Sequence, residues 1–224
     1  GIELHQVWQD DWESNPSIVL RTILYRLGLL SRLNEVEGYS FPVAFSESVS
    51  ARSCTVAEID KATAARFLDC HHIQGGSVGT VYLGLTDSSG ELRAVLVTTK
   101  DKSGWRIDRY ASMGIVRGGF SKILTYAERE LDVEFWYTFA NQEVSSGALY
   151  ESNGFTADKV LAPDYSYLVN NKRVHKFNYR LKRFRDDPAL IWEEGKTERE
   201  LADMNGLVRI WDSGKIRYVK RVAR

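Results

Sequence analysis

The sequence predicts an α/β (α+β) fold, in which helices flank a mixed central sheet. Along the middle of the chain the periodicity gives the order strand, helix, hairpin, strand, helix, strand, helix, strand, which is a mixed α/β order. A chain of 224 residues with 43% hydrophobic and 12% aromatic content can fill the core of such a fold. A strand and a helix precede this core, and a helix plus a β-hairpin follow it.

The opening of the chain predicts a strand over residues 2–8 and a helix over residues 18–30 with Ser17 as its N-cap. A lone strand and helix bury little, so they need a partner, either the rest of the chain or residues in front of it. Asp10 and Asp11 between them resemble a metal pair, but no third ligand completes a site, which favours turn and capping roles.

The first half of the core begins with a strand over residues 53–59 and a helix capped by Asp60. Two further strands, 81–85 and 92–98, are joined by a turn that predicts a hairpin. His72 follows the helix, at the predicted rim of a central cleft. Two interpretations stay open for His72: a base or phosphate contact near neutral pH, or a helix-ending residue that interacts with the helix dipole.

The central stretch predicts a strand over residues 105–111, a glycine turn, and a helix over residues 120–131 with one apolar stripe. A turn of this kind exposes unpaired N–H groups at the positive end of the helix, where a phosphate binds readily. The alternative is that Gly118 and Gly119 only let the helix pack closely on the strand. A buried strand over residues 133–139 and a short helix over residues 147–153 follow.

Residues 149–155 read Leu-Tyr-Glu-Ser-Asn-Gly-Phe, which resembles the LYE-x-x-GF signature of the GNAT N-acetyltransferases. The resemblance implies a GNAT-like fold and acetyl-CoA or another acyl-CoA as cofactor. The glycine turn departs from the family's Gln/Arg-x-x-Gly-x-Gly/Ala pattern. The candidate cofactor-binding residues at this turn are Val116, Arg117, Gly118, Gly119, Phe120, Ser121 and Lys122.

The candidate catalytic residues are Tyr150, His72, Arg109 and Asn141. For Tyr150 and Arg109, a role follows from the GNAT resemblance. It implies that the Tyr150 phenol protonates the departing thiolate; the alternative is a core aromatic whose hydroxyl is tied down. It places Arg109 on the strand that lines the acyl site, where the guanidinium binds a phosphate or carboxylate, or forms a structural ion pair.

The C-terminal part of the chain is basic, with 15 Lys and Arg against 8 Asp and Glu from Lys172 onwards. This surplus points to DNA as a partner, with a solvated basic surface as the alternative. The aromatics at 177, 179 and 184 provide either stacking surfaces or core. A capped helix at 197–205 and a hairpin of strands 207–211 and 216–219 close the chain. The candidate DNA-binding residues are Lys172, Arg173, His175, Lys176, Arg180, Lys182 and Arg183.

Residues 8–12, 72–75, 116–122 and 209–214, with other positions along most of the chain, resemble phage Vsr-like/Hef-like homing endonucleases and the GNAT-like domain that follows their nuclease. A more distant resemblance is to the Mom-like DNA-modifying GNAT proteins. These resemblances imply DNA as partner, an upstream nuclease domain in a longer protein, and a phage or prophage gene expressed in a bacterial cytoplasm. The chain departs at 141–143, where Asn-Gln-Glu replaces an Asp-Arg-Arg.

We therefore expect a nuclease-like end or extension at 1–37, a linker at 38–50, a GNAT-like core at 51–170 and a basic module at 171–224. Three functions are expected: acyl transfer to a nucleobase amine, DNA binding without catalysis, or an ordinary protein or small-molecule N-acetyltransferase. No apolar run suits a membrane helix, no cysteine or histidine spacing suits zinc, and the two cysteines are expected as reduced thiols.

Overall fold

The structure is a computed structural model, which describes residues 7–30, 32, 36 and 47–222. The predicted first strand, except its last two residues, and most of the predicted linker lie outside these residues. Two short 3₁₀ turns lie at Ala51–Ser53 and Lys176–Tyr179. The helices and strands, in chain order, are α1 Gln9–Ser14, α2 Pro16–Arg26, β1 Ser48–Ser50, β2 Thr55–Glu58, α3 Lys61–His71, β3 Val81–Thr86, β4 Leu92–Asp101, β5 Gly104–Ser112, β6 Ile115–Arg117, α4 Gly119–Glu130, β7 Phe135–Asn141, α5 Ala148–Glu151, β8 Thr156–Leu161, β9 Tyr165–Val169, β10 Lys172–His175, α6 Leu181–Asp186, α7 Glu198–Met204, β11 Val208–Trp211 and β12 Lys215–Arg221.

The centre of the protein is a seven-stranded sheet with the order β2-β3-β4-β5-β7-β12-β8. All neighbouring strands are antiparallel except β5 and β7, which are parallel. Helices lie against both faces of this sheet, so the predicted fold class, a mixed central sheet flanked by helices, is confirmed. None of the helices in the described ranges is long and apolar enough to cross a membrane.

The two faces of the sheet bury separate apolar clusters because side chains alternate along each strand. On one face, Ile123 and Leu124 of α4 pack with Leu83 and Leu96 of the sheet. On the other face, Leu68 of α3 packs with residues such as Val95 and Val97. The helical stripe predicted for α4 and the buried strands β3 and β4 are confirmed by this packing.

A β-bulge interrupts the regular alternation in the middle of β5. Thr98 of β4 lies opposite Ile107, whereas Val97 lies opposite Arg109, so Asp108 is the extra residue. Ile107 accordingly belongs to the cluster under α4, and Ala111 belongs to the cluster under α3. The bulge therefore turns Arg109 toward the α3 face, although strict alternation from Ile107 would give both residues the same face.

The helix caps agree with the prediction in two of three cases. Asp60 accepts a hydrogen bond from the Thr63 amide at 2.8 Å, and α7 has the predicted capping box of Thr197 and Glu200. For α2 the predicted N-cap Ser17 is wrong, because Asn15 accepts from the Ile18 amide. Pro16 favours this earlier start, since its fixed φ angle and missing N–H suit the first helical position.

A three-stranded sheet with the order β10-β9-β11 lies in the C-terminal part of the chain. It packs on a small core that includes Tyr167, Tyr179, Phe184 and Leu201. Of the three aromatics in the basic segment, Tyr179 and Phe184 are thus core residues, while Phe177 is 57% exposed. The core interpretation is confirmed for Tyr179 and Phe184, whereas Phe177 stays a candidate stacking surface.

The predicted C-terminal hairpin is wrong, because β11 pairs with β9 whereas β12 lies between β7 and β8. A hairpin would satisfy one edge of β12; insertion into the sheet satisfies both edges and buries Tyr218 to 2% exposure. Local turn chemistry at residues 212–214 could not predict this distant pairing. Residues 215–221, which the sequence assigned to the basic module, are part of the central sheet.

Candidate functional site

The candidate site lies where β5 and β7 separate. Their parallel ladder covers Trp105–Ile107 and Trp136–Thr138 only, although β5 continues to Ser112 and β7 to Asn141. At the last pair, the Thr138 hydroxyl donates a hydrogen bond to the Ile107 carbonyl at 3.0 Å. Beyond this pair the facing edges of the two strands do not bond to each other, which opens a gap in the sheet.

The phenol of Tyr150 lies at the closed end of this gap, on the α4 face of the sheet. Its ring packs 5.9 Å from Phe120 of α4 and 5.5 Å from Tyr218, and its hydroxyl is hydrogen-bonded with Thr138. Burial raises the pKa of Tyr150, while the bond with Thr138 and the charge of Arg109 act in the opposite direction. Tyr150 is thus a protonated phenol at neutral pH, positioned partly by core packing.

The N-terminus of α4 is open to solvent at two of its residues. Gly118 is the N-cap, with a φ angle of 75° that glycine adopts without strain, and both Gly118 and Ser121 are exposed. The amides of Gly119 and Ser121 have no hydrogen-bond partner within the described part of the chain. Arg117 is exposed beside them and has no ion pair to any described residue. These groups can receive a phosphate.

Other groups at the same corner are already used inside the protein. The Phe120 amide donates to the Tyr110 hydroxyl, and the Lys122 ammonium donates to the carbonyls of Ala51 and Cys54. A Cβ atom on Gly119 would lie 2.8 Å from Cγ1 of Val116, so this glycine also serves close packing. Among the predicted cofactor-binding residues, Val116, Phe120 and Lys122 therefore have structural partners already.

A cleft of about 880 Å³ opens at the splayed ends of β5 and β7, beside the C-terminal end of α3. α1, β9 and β10 form its remaining walls. Two of the predicted catalytic residues, Arg109 and Asn141, line it. The Asn141 side chain accepts a hydrogen bond from the Glu143 amide at 3.0 Å, so it stabilises its own turn.

Arg109 carries an unpaired charge in this cleft. Its Nη1 donates to the Asp108 carbonyl at 2.7 Å, and its buried Nε has no partner within residues 7–30, 32, 36 and 47–222. The Asp108 carboxylate instead contacts the side chains of Arg106 and Thr99, each at 2.5 Å. Burial lowers the pKa of Arg109, which reflects the cost of holding this charge out of water.

His72 lies near Arg109 but is a poor candidate for a general base. Burial, together with the positive charge of Arg109, lowers the pKa of His72 to about 3. Its Nδ1 accepts a hydrogen bond from the Gln74 amide at 3.1 Å, which uses the free lone pair of the neutral ring. The structure therefore opposes the predicted role of His72 as a base near neutral pH.

The basic segment is largely paired with acids. Arg173 contacts the carboxylates of Asp10 and Asp11, each at 2.6 Å, and Lys176 contacts Asp164 at 2.5 Å. Arg180 and Arg183 pair with Glu198 and Asp187, while His175 accepts from the Phe177 amide. Of the predicted DNA-binding residues, only Lys172 and Lys182 have no pairing contact within the part of the chain described.

Asp10 and Asp11 lie in the first turn of α1 and bind Arg173, so the expectation that they occupy a turn is wrong. In the residues that the structure describes, no group of three or more His, Cys, Asp or Glu side chains is arranged to hold a metal ion. Burial raises the pKa of Asp11, against the opposing effect of Arg173. The acids thus serve an ion pair that joins the N-terminal helix to β10.

Two site residues escaped prediction. Thr138 is a small polar residue in a run of mostly apolar and aromatic residues. A polar residue buried in such a strand could have indicated a site residue. Tyr110 gave no signal, because the bulge at Asp108 that turns it toward α4 has no sequence signature here. The Arg109 orientation was missed for the same reason.

The sheet order and the splayed parallel pair define a mixed α/β domain with helices on both faces of the sheet. No protein-family model matches the chain, and no curated protein matches it. Similar solved structures include the Escherichia coli ribosomal-protein-S18-alanine N-acetyltransferase, at 13% identity and TM-score 0.48, covering 76% of this chain and 95% of that one. Another is the Bacillus cereus IAA acetyltransferase, at 16% identity and TM-score 0.41, covering 76% and 100%.

A third is the Vibrio cholerae spermidine/spermine N-acetyltransferase SpeG, at 10% identity and TM-score 0.45, covering 76% of this chain and 94% of that one. A Bacillus anthracis acetyltransferase with TM-score 0.36, 9% identity and 68% coverage of each chain was solved in complex with acetyl coenzyme A. Similarity at these TM-scores says nothing about the substrate of this protein. The resemblance to phage nucleases and Mom-like proteins stays an expectation from the sequence.

Proposed function

We propose that this protein is an acyl-CoA-dependent N-acyltransferase that acts on an amine. The observation that carries the proposal is the Tyr150 hydroxyl at the closed end of the gap between β5 and β7, hydrogen-bonded with Thr138. The same face of the sheet carries the open N-terminus of α4, and the splayed ends open into a cleft. A proton donor thus lies between a phosphate-compatible corner and a space for a second substrate.

Arg117, Gly118, Gly119 and Ser121 are the residues that would hold the phosphates of the donor. Their free amides, hydroxyl and guanidinium are the donor groups that phosphate oxygens accept. When bound, an acyl-CoA supplies an acyl group activated as a thioester. Acetyl-CoA is the first donor to test, because the LYE-x-x-GF resemblance of residues 149–155 implies an acyl-CoA.

Tyr150 supplies the acid. Its Oη keeps its proton at neutral pH because burial raises the pKa, and it releases that proton to the departing sulfur. Thr138 and Phe120 hold the phenol in position through a hydrogen bond and a ring contact. Since His72 is held neutral with its lone pair occupied, the proton of the acceptor amine passes to water in the open cleft.

Calorimetric titration with acetyl-CoA tests donor binding. We expect saturable binding, weakened by about tenfold in the Arg117→Ala and Ser121→Ala variants through loss of charged or polar phosphate contacts. Arg185→Ala is the matched control, because Arg185 is an exposed arginine on α6. Absence of heat together with an unchanged melting temperature in acetyl-CoA would overturn the proposal.

A second candidate is the transfer of the acyl group to a nucleobase amine of DNA. The exposed ring of Phe177 favours it, because the Arg180 guanidinium lies 4.2 Å above the ring and His175 stacks on it at 4.8 Å. Exposed aromatic and cationic groups of this kind suit stacking on nucleic acid. Mass spectrometry of nucleosides from DNA incubated with the protein and acetyl-CoA tests it. DNA binding without donor binding would instead favour the non-catalytic alternative.

A further inference from the structure

The charged side chains of the cleft fall into two groups, paired and unpaired. Arg173 pairs with Asp10 and Asp11, and Arg106 pairs with Asp108. The two remaining pairs at the walls are Lys176 with Asp164 and Lys215 with Asp212. The one-to-one pairs neutralise each other inside the protein, whereas Arg173 with its two aspartates keeps one net negative charge.

Three charged residues of the cleft have no ion pair to any described residue: Arg109, Lys172 and Asp69. Asp69 and Lys172 are exposed, so water stabilises their charges at little cost. Arg109 differs, because its Nε is buried without a hydrogen-bond acceptor. A partly buried guanidinium without an ion pair is costly for a folded protein, and an anion bound in the cleft offsets part of this cost.

Resting on the proposed function, we infer that the acceptor is an amine that also carries a carboxylate, and that Arg109 binds this carboxylate. Nη1 of Arg109 is held by the Asp108 carbonyl and Nε is buried, which leaves Nη2 as the nitrogen that a ligand in the cleft can reach. A carboxylate oxygen accepts a charge-assisted hydrogen bond from this N–H group. The unpaired acid in the cleft, Asp69, complements the ammonium group of the same molecule.

A singly charged carboxylate fits this cleft better than a phosphate. Arg173 offsets only one of the two negative charges of Asp10 and Asp11, so this wall repels a doubly charged group more strongly than a singly charged one. Arg109 is also near enough to Tyr150 for its charge to act on the phenol. A carboxylate on Arg109 therefore places the amine of a small amino acid close to the proton donor.

The test compares amino acids with their α-amides as acceptors, measuring thiol release from acetyl-CoA. We expect wild-type protein to prefer the carboxylate form by at least about tenfold in kcat/KM. Arg109→Gln should remove this preference by lowering kcat/KM for the acids and leaving the amides within about threefold. Arg109→Lys should restore part of it, and Lys172→Gln is the control at a second unpaired cation. Equal rates for acids and amides in wild type, or equal losses for both in Arg109→Gln, would overturn the inference.

A second measurement needs no donor, so it separates this inference from the proposed function. Thermal melting is followed with N-acetylglycine, N-acetylglycinamide or inorganic phosphate at matched ionic strength. We expect N-acetylglycine to raise Tm in wild type and not in Arg109→Gln, even if acetyl-CoA fails to bind. A larger rise with phosphate, an equal rise with the amide, or no rise with any of the three probes would overturn the assignment of a carboxylate to Arg109. The melting curve without ligand shows whether Arg109→Gln is folded.

Discussion

The corner at the start of α4 and the cleft at the splayed strand ends flank the same gap in the sheet, yet they differ in how their polar groups are satisfied. At the corner, the Phe120 amide and the Lys122 ammonium already have partners within the protein. In the cleft, the Arg109 side chain keeps a buried nitrogen without an acceptor. More of the polar groups at the corner than in the cleft therefore have partners inside the protein.

This difference shows which observation is stronger evidence for function. Exposed amides at a helix N-terminus are hydrated at little cost, so an open corner is compatible with a purely structural glycine turn. A partly buried guanidinium with a buried, unbonded Nε carries a desolvation cost that packing does not offset. The cleft therefore argues for a ligand more strongly than the corner does, although the corner resembles a known motif.

The largest expected effect concerns Tyr150, which lies between the two regions. Replacing Tyr150 by Phe removes the proposed proton donor, and general acid catalysis typically contributes about 10²–10⁴-fold, so we expect a loss of this size in kcat. Acetyl-CoA affinity should change little, because the ring and its contacts remain. Steady-state thiol release and calorimetry measure the two quantities.

The matched control for Tyr150 is Tyr218→Phe. The Tyr218 ring lies 5.5 Å from that of Tyr150, but its hydroxyl donates to Glu151 at 3.1 Å, away from Thr138. Its loss should leave kcat nearly unchanged. A kcat loss of less than about tenfold in Tyr150→Phe, or similar losses in both variants, would show that the phenol is a structural aromatic.

The second prediction concerns Gly118 and Gly119, at the start of α4. In Gly119→Ala the new Cβ would lie 2.8 Å from Cγ1 of Val116 and 2.9 Å from the Tyr110 hydroxyl. Overpacking of this kind costs about 1–3 kcal/mol of unfolding free energy. Gly118→Ala adds a Cβ with only Ala51 nearby, at 3.9 Å, so its cost is that of the positive φ angle, about 1 kcal/mol. Urea denaturation measures both. A neutral Gly119→Ala would mean that the corner has spare room and that packing does not require this glycine.

The third prediction concerns His72, beside the cleft, and tests its lowered pKa through the pH dependence of stability. The pKa of His72 falls from 6.5 to about 3 on folding, so between these values the unfolded chain binds a proton that the folded chain rejects. Stability is therefore full above about pH 6.5 and falls as the pH decreases toward 3. His72→Gln removes this penalty. Relative to wild type, the variant should gain about 2 kcal/mol between about pH 7.5 and about pH 5.

Denaturation at both pH values measures this gain, and His175→Gln, at an exposed histidine, controls for the loss of an imidazole. A gain that is absent, or a variant that loses stability at low pH relative to wild type, would mean that His72 is protonated in the folded protein. His72 would then return as a candidate base beside Arg109.

The sequence predicted those parts of the fold that local patterns specify. The hairpin of β3 and β4, the Asp60-capped α3 and the apolar stripe of α4 each depend on residues a few positions apart. The insertion of β12 between β7 and β8 depends on pairing across about 70 residues, for which turn chemistry gives no information. The sequence predicted β12 as a strand but did not predict its position between β7 and β8.

The sequence predicted some residues of the candidate site but not their partners, for a related reason. Motif resemblance found Tyr150 and the corner at Gly118, because both sit in short recognisable segments. Whether a side chain is free to bind a ligand depends on its partners inside the protein. These partners, such as Ala51 for Lys122 or Asp10 for Arg173, are far away in sequence. The basic surplus of the C-terminal region suggested DNA, but acids from the first part of the chain neutralise much of it. Charge asymmetry along a sequence therefore need not become charge asymmetry on a surface.

The smallest expected effect separates the free cations of the basic segment from the paired ones. If the region binds duplex DNA, Lys172→Ala and Lys182→Ala should each reduce the slope of log affinity against log salt by about 0.9 for each phosphate that the lysine neutralises in wild type. Neither substitution leaves an acid without its partner. Arg173→Ala would unpair Asp10, which is only 9% exposed, so its effect on binding is mixed with a loss of stability.

Filter binding of a random duplex over a salt series measures the slopes, and Lys61→Ala on α3 is the control for removal of an exposed lysine elsewhere. Affinity that is unchanged in the Lys172→Ala, Lys182→Ala double variant would contradict a DNA-binding role for the free cations. Since the other predicted cations Arg173, Lys176, Arg180 and Arg183 each pair with an acid, such a result would favour a small anionic acceptor at Arg109 over a polyanion.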